Sequence, residues 1–370
     1  MANGADQTRL ASLDALRGFD MFWIVGGREV VVALAGLTGL PWLREVVAHQ
    51  TEHAAWHGLR AWDLVFPLFL FLAGVSTTLS FARRQGRGES RSKLAVHALR
   101  RGLGLVCLGA IYNGLFAFDL EHQRWASVLG RIGLAWMFAA WLYLALGPRG
   151  RVLAVAAILV TYALALRFIP VPGHGAGVLL QGQNLADWID QRCLPGRLHG
   201  GDHDPEGLAS TFPAIATALL GMLAGDWLRR TDLNRGRRLA GLMVAGAALL
   251  ASGYLLSLVV PLNKRLWTSS FALVCGGWSA LLLATFHALF DSGHGKRTAR
   301  VLSIVGAHAL TAYLAARFID FEGLARLLVG RAIDRKLLHE AWLPALALAL
   351  LWLTMGAYAA ARRSRAARER

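Results

Sequence analysis

The chain has 370 residues, of which 55% are hydrophobic and 17% charged, and its mean hydropathy is +0.44. A soluble domain carries about 25% charged residues, so this chain lacks the polar surface that a soluble globule of its length needs. The same composition excludes an intrinsically disordered protein, and three cysteines without a C-x-x-C pair exclude a disulfide framework. We therefore predict a polytopic membrane protein.

Ten stretches are long and apolar enough to cross a hydrocarbon core of about 30 Å, which takes roughly 20 residues. Because an open strand leaves its backbone polar groups unsatisfied in lipid, we expect each stretch to be an α-helix. Their approximate limits are 13–36, 62–82, 94–116, 127–146, 150–169, 208–228, 238–260, 267–290, 301–319 and 341–361. The sequence thus predicts an all-α, polytopic membrane helix bundle of about 10 transmembrane helices, forming a single transmembrane domain over residues 1–370.

The net charge of +16 first suggests a nucleic-acid partner, but the positions of the basic residues argue otherwise. Of the 39 lysines and arginines, 24 lie at the two ends of the chain or in alternate connections between the stretches. By the positive-inside rule, both termini are cytoplasmic. The external loops are then the longer, mixed or acidic connections near 37–61, 117–126, 170–207, 261–266 and 320–340. The charge is a topology signal, and we predict no nucleic-acid partner.

The first stretch begins with three charged residues, Asp14, Arg17 and Asp20. Charge at membrane depth is costly and seldom accidental. Asp14 and Arg17 are three residues apart, so their side chains face the same side of a helix. They are either an intrahelical pair at the cytoplasmic end or a cytoplasmic mouth that receives a charged ligand.

The external segment before the second stretch contains His53, His57 and Asp63. A histidine is the natural proton acceptor near neutral pH, and Asp63 could orient an imidazole. On a helix, the spacing of His53 and His57 would also suit a metal ion, but the segment has no H-E-x-x-H glutamate and no clear third ligand. We predict no metal. From the residues alone, histidines in a loop beside interfacial tryptophans explain this segment better than a functional site does.

The long external connection 170–207 is rich in acid, and five of its carboxylates precede the sixth stretch. Asp204, followed by proline and glutamate, is also typical of a helix start, with the aspartate as N-cap. That alternative explains the spacing of the residues. The large number of carboxylates in this connection, however, suits the binding of a cationic amine substrate.

Two further positions break the apolar pattern at the external side. Lys264 and Trp267 flank a short turn, where such residues commonly anchor a helix at the interface. Arg131 lies near the external start of the fourth stretch, where an arginine must find a carboxylate or lie in water.

In this order, these motifs resemble the catalytic membrane domain of the heparan-α-glucosaminide N-acetyltransferase family and its bacterial relatives. The matching stretches are Ser12–Gly18, His53–Gly58, Asp63–Pro67, Leu129–Ile132, Pro172–Gly175, Ile189–Asp190, Asp204–Gly207 and Asn263–Trp267. The Asp-x-x-Arg-Gly motif of the first stretch is shared by several membrane acyltransferases. The ordered set, which runs along most of the chain, is specific.

The resemblance implies transfer of an acetyl group from cytosolic acetyl-CoA to an amino sugar or related glycan amine on the outer side, in a bacterial cytoplasmic membrane. The catalytic histidine of the family falls on His53, which would act as base or as acetyl carrier. Within that chemistry, Asp63 would hold the imidazole, and Asn263 or Lys264 would stabilise the thioester oxyanion. The other predicted contacts are Asp14, Arg17, Asp20, Arg100 and Arg101 for the donor, and His57, Arg131, Asp190, Asp204, Glu206 and Trp267 for the acceptor.

Two departures from the family leave the acceptor open. The chain has Arg28, beside Glu29, where the lysosomal enzyme has an asparagine, and we expect it to differ from that enzyme in having no large luminal segment at the N-terminus. Two other functions remain as alternatives: a transporter or channel that uses the same intramembrane charges, and an O-acyltransferase of cell-surface glycans. The oligomeric state is also open, with a homodimer among the options.

Overall fold

A computed structural model describes residues 10–292, 295–329 and 337–368. Arg9 and Arg370, two of the basic residues behind the predicted orientation, lie outside the described residues, as do residues 330–336 of the predicted external connection. In chain order, the α-helices are α1 (Ala11–Phe22), α2 (Arg28–Leu37), α3 (Pro41–Gln50), α4 (Val65–Gly86), α5 (Arg91–Tyr112), α6 (Val128–Ala145), α7 (Pro148–Phe168), α8 (Leu185–Cys193), α9 (Leu208–Leu228), α10 (Arg235–Ser257), α11 (Ser269–Phe290), α12 (Lys296–Gly306), α13 (Ala309–Phe318), α14 (Phe321–Val329) and α15 (Leu337–Arg368). A short antiparallel pair, β1 (Pro170–Val171) and β2 (Gly175–Ala176), lies between α7 and α8.

Eight of the ten predicted stretches fall on single long helices, and the predicted stretch 301–319 falls on two helices, α12 and α13, with a bend between them. In the described part of the chain, eight helices are long and apolar enough to cross a membrane, and a ninth span results if α12 and α13, bent by 62°, are one broken span. The predicted all-α, polytopic membrane fold is confirmed, and the chain is a multi-pass membrane protein.

The first predicted stretch, 13–36, is not one continuous helix. α1 ends at Phe22 and α2 begins at Arg28, and the backbone between them leaves helical geometry at Val25 and Gly26. Gly26 has a φ of +125°, which only glycine adopts readily. The apolar composition continues across this break, so a hydropathy window cannot detect it.

Several helices begin where a polar side chain satisfies the first backbone amides. The side chains of Ser90, Ser127, Asn184 and Asn234 accept hydrogen bonds from backbone N–H groups at the starts of α5, α6, α8 and α10. The predicted alternative of a helix start at Asp204 is wrong, because α9 begins at Leu208 with Gly207 as its N-cap.

The chain divides into two compact units. The first unit comprises the described parts of Met1–His53, Arg60–Val65 and Leu282–Arg370, and the second comprises Ala54–Leu59 and Phe66–Leu281. In the first unit, α1 packs closely on α12 because a glycine lies at each crossing point. A Cβ atom on Gly18 would lie 1.9 Å from the carbonyl oxygen of Leu302, and one on Gly306 would lie 1.9 Å from that of Asp14.

The second unit is built from pairs of closely packed helices. α5 crosses α6 at Gly102 and Gly133, where a Cβ on Gly133 would lie 2.6 Å from the carbonyl oxygen of Gly102. α4 crosses α9 in the same way at Gly74 and Gly221. Small residues at such crossings let backbones approach, which is how helices commonly associate in lipid.

Candidate functional site

His53 and Asp63 form a hydrogen-bonded pair in the first unit. The His53 Nδ1 atom lies 2.8 Å from Oδ1 of Asp63, whose side chain is 1% exposed, whereas that of His53 is 48% exposed. Residues 51–60 are not helical, so the helical spacing that would let His53 and His57 share a metal ion does not arise. The pair therefore combines an accessible imidazole with a buried carboxylate.

The backbone around Asp63 holds its carboxylate in place. Asp63 lies in the 3-10 turn Ala61–Leu64, and its Oδ2 accepts a hydrogen bond of 3.0 Å from the backbone N–H of Arg60. An ionised carboxylate only accepts hydrogen bonds, so an ionised Asp63 would favour the tautomer of His53 that carries its proton on Nδ1. In that tautomer, the lone pair of a neutral ring is on Nε2, as a general base or nucleophile requires.

An ion-pair network holds the residues just before His53. Arg28 donates a hydrogen bond of 2.9 Å to the carbonyl oxygen of Thr51, and its guanidinium lies 3.5 Å from the carboxylate of Glu52. Arg60 contacts the same carboxylate at 3.4 Å. Arg28 thus contacts the segment that carries the histidine at both Thr51 and Glu52.

A row of aromatic rings leads from α11 and α1 to His53 within the first unit. The ring centroids are 5.5 Å apart for Phe286 and Phe19, 6.0 Å for Phe19 and Trp23, 6.4 Å for Trp23 and Trp62, and 6.2 Å for Trp62 and His53. The four rings before His53 are only half-buried. We call these five rings the aromatic row.

The predicted donor contacts on α1 fall into a pair and a single residue. Arg17 lies 3.8 Å from Asp14, so the predicted intrahelical pair is present. Asp20 is fully buried, and neither of its carboxylate oxygens has a hydrogen-bond partner among the residues that the structure describes. Asp20 directly follows Phe19 of the aromatic row.

In the second unit, Arg124 binds two of the acids predicted to contact the acceptor. Its guanidinium donates hydrogen bonds of 2.7 and 2.6 Å to the two carboxylate oxygens of Asp204 and a further one to Glu206. Burial opposes ionisation of Asp204, but the hydrogen bonds and charge of Arg124 outweigh it and hold the pKa of Asp204 below its usual value. We call Arg124, Asp204 and Glu206 the buried ion cluster.

Asp190 caps α9 from a different helix, α8. Its Oδ1 accepts hydrogen bonds of 2.8 Å from the backbone N–H of Leu208 and 3.3 Å from that of Ala209. Burial raises the pKa of Asp190 to about 6, and its Oδ2 has no partner in the described part of the chain. Asp190 thus has a structural role, the capping of α9, in addition to its predicted role in binding the acceptor.

We expect Asp190→Asn to weaken the pH dependence of stability. Because burial raises the pKa of Asp190 in the folded state, its contribution to stability is present at acidic pH and is lost as the pH rises through about 6. Asparagine keeps an oxygen for the cap but does not titrate, so the melting temperature of the variant should fall less between pH 5 and pH 8 than that of the wild type. Thermal unfolding in detergent at both pH values measures this. An equal fall in the two proteins would contradict the assignment.

Arg131 is fully buried, and its guanidinium forms no ion pair with a carboxylate among the residues that the structure describes. Its guanidinium donates to the carbonyl oxygen of Gly207 and to the hydroxyls of Ser210 and Thr211. It also lies 5.1 Å from the ring centroid of Trp267. Of the two predicted surroundings, a carboxylate partner or water, the first is not found in the described part of the chain, where hydroxyls, a carbonyl and an aromatic face contact the charge.

Trp267 is completely buried and has an unusual backbone. Its φ of 49° lies in the left-handed region, which a bulky residue rarely adopts. The indole N–H donates to the Thr217 hydroxyl at 3.1 Å, and the ring packs on Phe66 and Phe271. These contacts stabilise Trp267 in a left-handed backbone conformation that is unfavourable in their absence.

The turn that contains Asn263 and Lys264 contacts the loop of His57. The Asn263 side chain is buried, accepts a hydrogen bond of 2.9 Å from the backbone N–H of Leu266, and lies 3.4 Å from Nδ1 of His57. Burial lowers the pKa of His57. The roles of Asn263 and Lys264 toward an oxyanion, and of His57 toward an acceptor, stay predictions.

The remaining predicted donor contacts, Arg100 and Arg101, lie on the exposed side of α5, and Arg101 is 4.9 Å from the ring centroid of Trp136.

No group of three metal-binding side chains occurs among the residues that the structure describes. The expectation that no metal binds stays a prediction.

The sequence did not identify Arg124 as the partner of Asp204 and Glu206, nor did it predict the contacts of Arg28 with Thr51 and Glu52. Arg124 lies in the external connection 117–126, and its main partner is 80 residues further along the chain. No local spacing marks such a pair. Its one sequence signal is a basic residue in a loop on the side opposite to most of the other arginines.

No family model matches the chain. The chain is similar to human (Homo sapiens) heparan-alpha-glucosaminide N-acetyltransferase, with 27% identity over an alignment of 347 residues that covers 76% of this chain and 49% of the human protein. The mouse (Mus musculus) protein of the same name is 27% identical over 300 residues, covering 65% of this chain and 45% of the mouse protein. The chain thus spans about half the length of the curated relatives it matches.

Proposed function

We propose that this chain, a distant relative of the heparan-alpha-glucosaminide N-acetyltransferases, is a transmembrane acetyltransferase that uses acetyl-CoA to acetylate a glycan amine across a bacterial cytoplasmic membrane. The observation that carries the proposal is the hydrogen bond between the accessible imidazole of His53 and the buried carboxylate of Asp63. That arrangement is what an amine acyl transfer needs, because a positioned neutral imidazole must take a proton.

In the proposed reaction, the amine nitrogen of the acceptor attacks the thioester carbonyl of acetyl-CoA. A C–N bond forms, the C–S bond breaks, and the thiolate of coenzyme A leaves. His53 Nε2 accepts the proton that the amine loses, and Asp63 stabilises the imidazolium that results. In the covalent version, Nε2 of His53 attacks the thioester, the C–S bond breaks and the coenzyme A thiolate leaves. The amine then attacks the acetyl group, the bond between that group and Nε2 breaks, and the freed imidazole takes the proton that the amine loses. Both versions need the same tautomer of His53.

The aromatic row supports a path for the acetyl-bearing arm of the donor. The nucleotide of coenzyme A is polyanionic and cannot enter lipid, so it stays at the cytoplasmic face while the pantetheine arm reaches inward. The row consists of half-buried rings that lead from α1 and α11 to His53. Asp20, which follows Phe19 of the row in sequence, is buried without a hydrogen-bond partner in the described part of the chain. We propose that the arm follows this row, with Arg17 as a contact of the donor phosphates.

The identity of the acceptor is proposed only as a class. The buried ion cluster and the capping of α9 engage Asp204, Glu206 and Asp190 with protein groups. The acid of this loop is therefore partly neutralised within the chain, and an amino sugar would be recognised by few remaining charges and by hydroxyl contacts.

The proposal is tested with purified protein, labelled acetyl-CoA and a panel of amino sugars and matched neutral sugars. We expect labelled acetyl-amide products from the amino sugars, and none from sugars that offer only hydroxyl groups. Products from both would favour an O-acyltransferase. No transfer and no hydrolysis of acetyl-CoA would overturn the proposal and favour a transporter.

A further inference from the structure

A basic stripe runs along one side of α5, inside a helix that is otherwise apolar enough to cross a membrane. Its members are Lys93, His97, Arg100 and Arg101. At about 100° per residue, their spacing of i, i+4, i+7 and i+8 keeps all four within an arc of about 100°. Arg101 is about 15 Å along the helix from Arg91, which is half the thickness of a hydrocarbon core.

The two arginines of the stripe form no ion pair with an acid among the residues that the structure describes. Arg100 and Arg101 are exposed, and Arg101 contacts only the face of Trp136 in the part of the chain that the structure describes. Glu89, the acid at the end of α4, is already bound by Arg84 through hydrogen bonds of 2.6 to 2.9 Å. An arginine at this depth is expensive unless it reaches the interface or receives an anion.

The direction of the side chains lets the stripe reach the interface. In an α-helix, each Cα–Cβ bond tilts toward the N-terminus. The N-terminus of α5 is the end that follows the basic connection 83–91, which the charge pattern predicts to be cytoplasmic. The Cα–Cβ bonds of Arg100 and Arg101 therefore tilt toward the predicted cytoplasmic side, and their long side chains can extend toward the lipid phosphates of that leaflet.

An exposed apolar strip lies next to the basic stripe on the same helix. Val96, Leu99 and Leu103 are 46%, 36% and 48% exposed, so hydrocarbon and not protein covers them in a bilayer. Gly104 adds open space there, since a Cβ atom built on it would meet no atom within 4 Å. Positive charge at the interface and adjacent apolar side chains deeper in the core match both ends of a phospholipid.

We propose that the basic stripe binds the phosphate of an anionic phospholipid from the cytoplasmic leaflet, whose acyl chains lie on Val96, Leu99 and Leu103. A coenzyme A phosphate offers the same chemistry to the arginines, but it has no chains to cover the apolar strip. The lipid therefore accounts for both features of this side of α5.

The test compares lipid binding by the wild type and by Arg100→Gln/Arg101→Gln in the full chain. Both proteins are delipidated in detergent and titrated with phosphatidylglycerol or phosphatidylcholine, and bound lipid is counted by native mass spectrometry. We expect the double variant to bind phosphatidylglycerol at least about tenfold more weakly, because it loses two charged hydrogen-bond donors. Binding of phosphatidylcholine should be the same in both proteins.

Arg237→Gln is the matched control, because Arg237 is an exposed arginine at the start of another helix, α10. It should bind phosphatidylglycerol as the wild type does. If the double variant fails to fold, Lys93→Gln, which changes only an exposed residue in the first turn of α5, should show the same selective loss. Equal phosphatidylglycerol binding by the stripe variants and the wild type would overturn the proposal. So would weaker coenzyme A binding with phosphatidylglycerol binding retained, since the stripe would then serve the donor.

Discussion

Acetyl transfer is expected to fall by about 100- to 10,000-fold when His53 is replaced by alanine, because the reaction then lacks its positioned proton acceptor. Asp63→Asn should also lower the rate, since an amide can offer its N–H to Nδ1 and so favour the wrong tautomer of the imidazole. Initial rates with labelled acetyl-CoA and an amino sugar measure both effects. The melting temperature of His53→Ala should stay close to that of the wild type, because the side chain is half exposed.

The chain supplies a matched control for this experiment. His122 lies 3.0 Å from Asp119 in another predicted external loop, so it forms a histidine–aspartate pair of similar geometry, but both side chains are mostly exposed. His122→Ala should leave acetyl transfer unchanged. Undiminished transfer by a folded His53→Ala protein would remove His53 from the mechanism.

The second large effect is expected from Arg124→Ala, which should destabilise the protein by about 3–5 kcal/mol. The variant leaves the buried carboxylate of Asp204 without its cation, and Glu206 loses the same partner. Because Arg124 holds the pKa of Asp204 below its usual value, its stabilising effect is present at neutral pH and is lost as the pH falls through that lowered pKa. Thermal unfolding in detergent should therefore show the largest difference from the wild type near pH 7 and a smaller one toward pH 4.

Arg197→Ala is the control for the buried ion cluster, since Arg197 is an exposed arginine in the same external loop as Asp204. It should melt as the wild type does. The double variant Arg124→Met/Asp204→Asn should recover part of the lost stability, because it removes the uncompensated charge. A melting temperature of Arg124→Ala equal to that of the wild type at every pH would contradict a stabilising cluster.

The membrane-spanning helices could be predicted because each span is a continuous stretch of mostly apolar residues in the sequence. The limits of α9 and α11 agree with the predicted stretches to within about two residues. The break at Trp23–Gly27 could not be predicted in the same way, since its residues are as apolar as their neighbours. It depends on backbone angles at Val25 and Gly26, which hydropathy does not encode.

The candidate site was predictable where its partners are close in the chain. His53 and Asp63 are ten residues apart, and one loop followed by a 3-10 turn brings them together. The acidic loop is the opposite case. Its composition suggested a cationic substrate, but Asp204 binds Arg124 and Asp190 caps a helix that begins 18 residues later. Such long-range pairs depend on the tertiary fold, so residue composition alone overstates the charge that remains for a ligand.

In the proposed reaction, an acetyl group supplied on one side of the bilayer reaches an acceptor on the other side at His53. Sealed proteoliposomes of uniform orientation test this, with labelled acetyl-CoA on the side of the chain termini and a membrane-impermeant amino sugar on the opposite side. We expect labelled amide product only on the side opposite to acetyl-CoA, and no product when the two substrates are exchanged. Product on the same side as acetyl-CoA, or equal product in both arrangements, would contradict it.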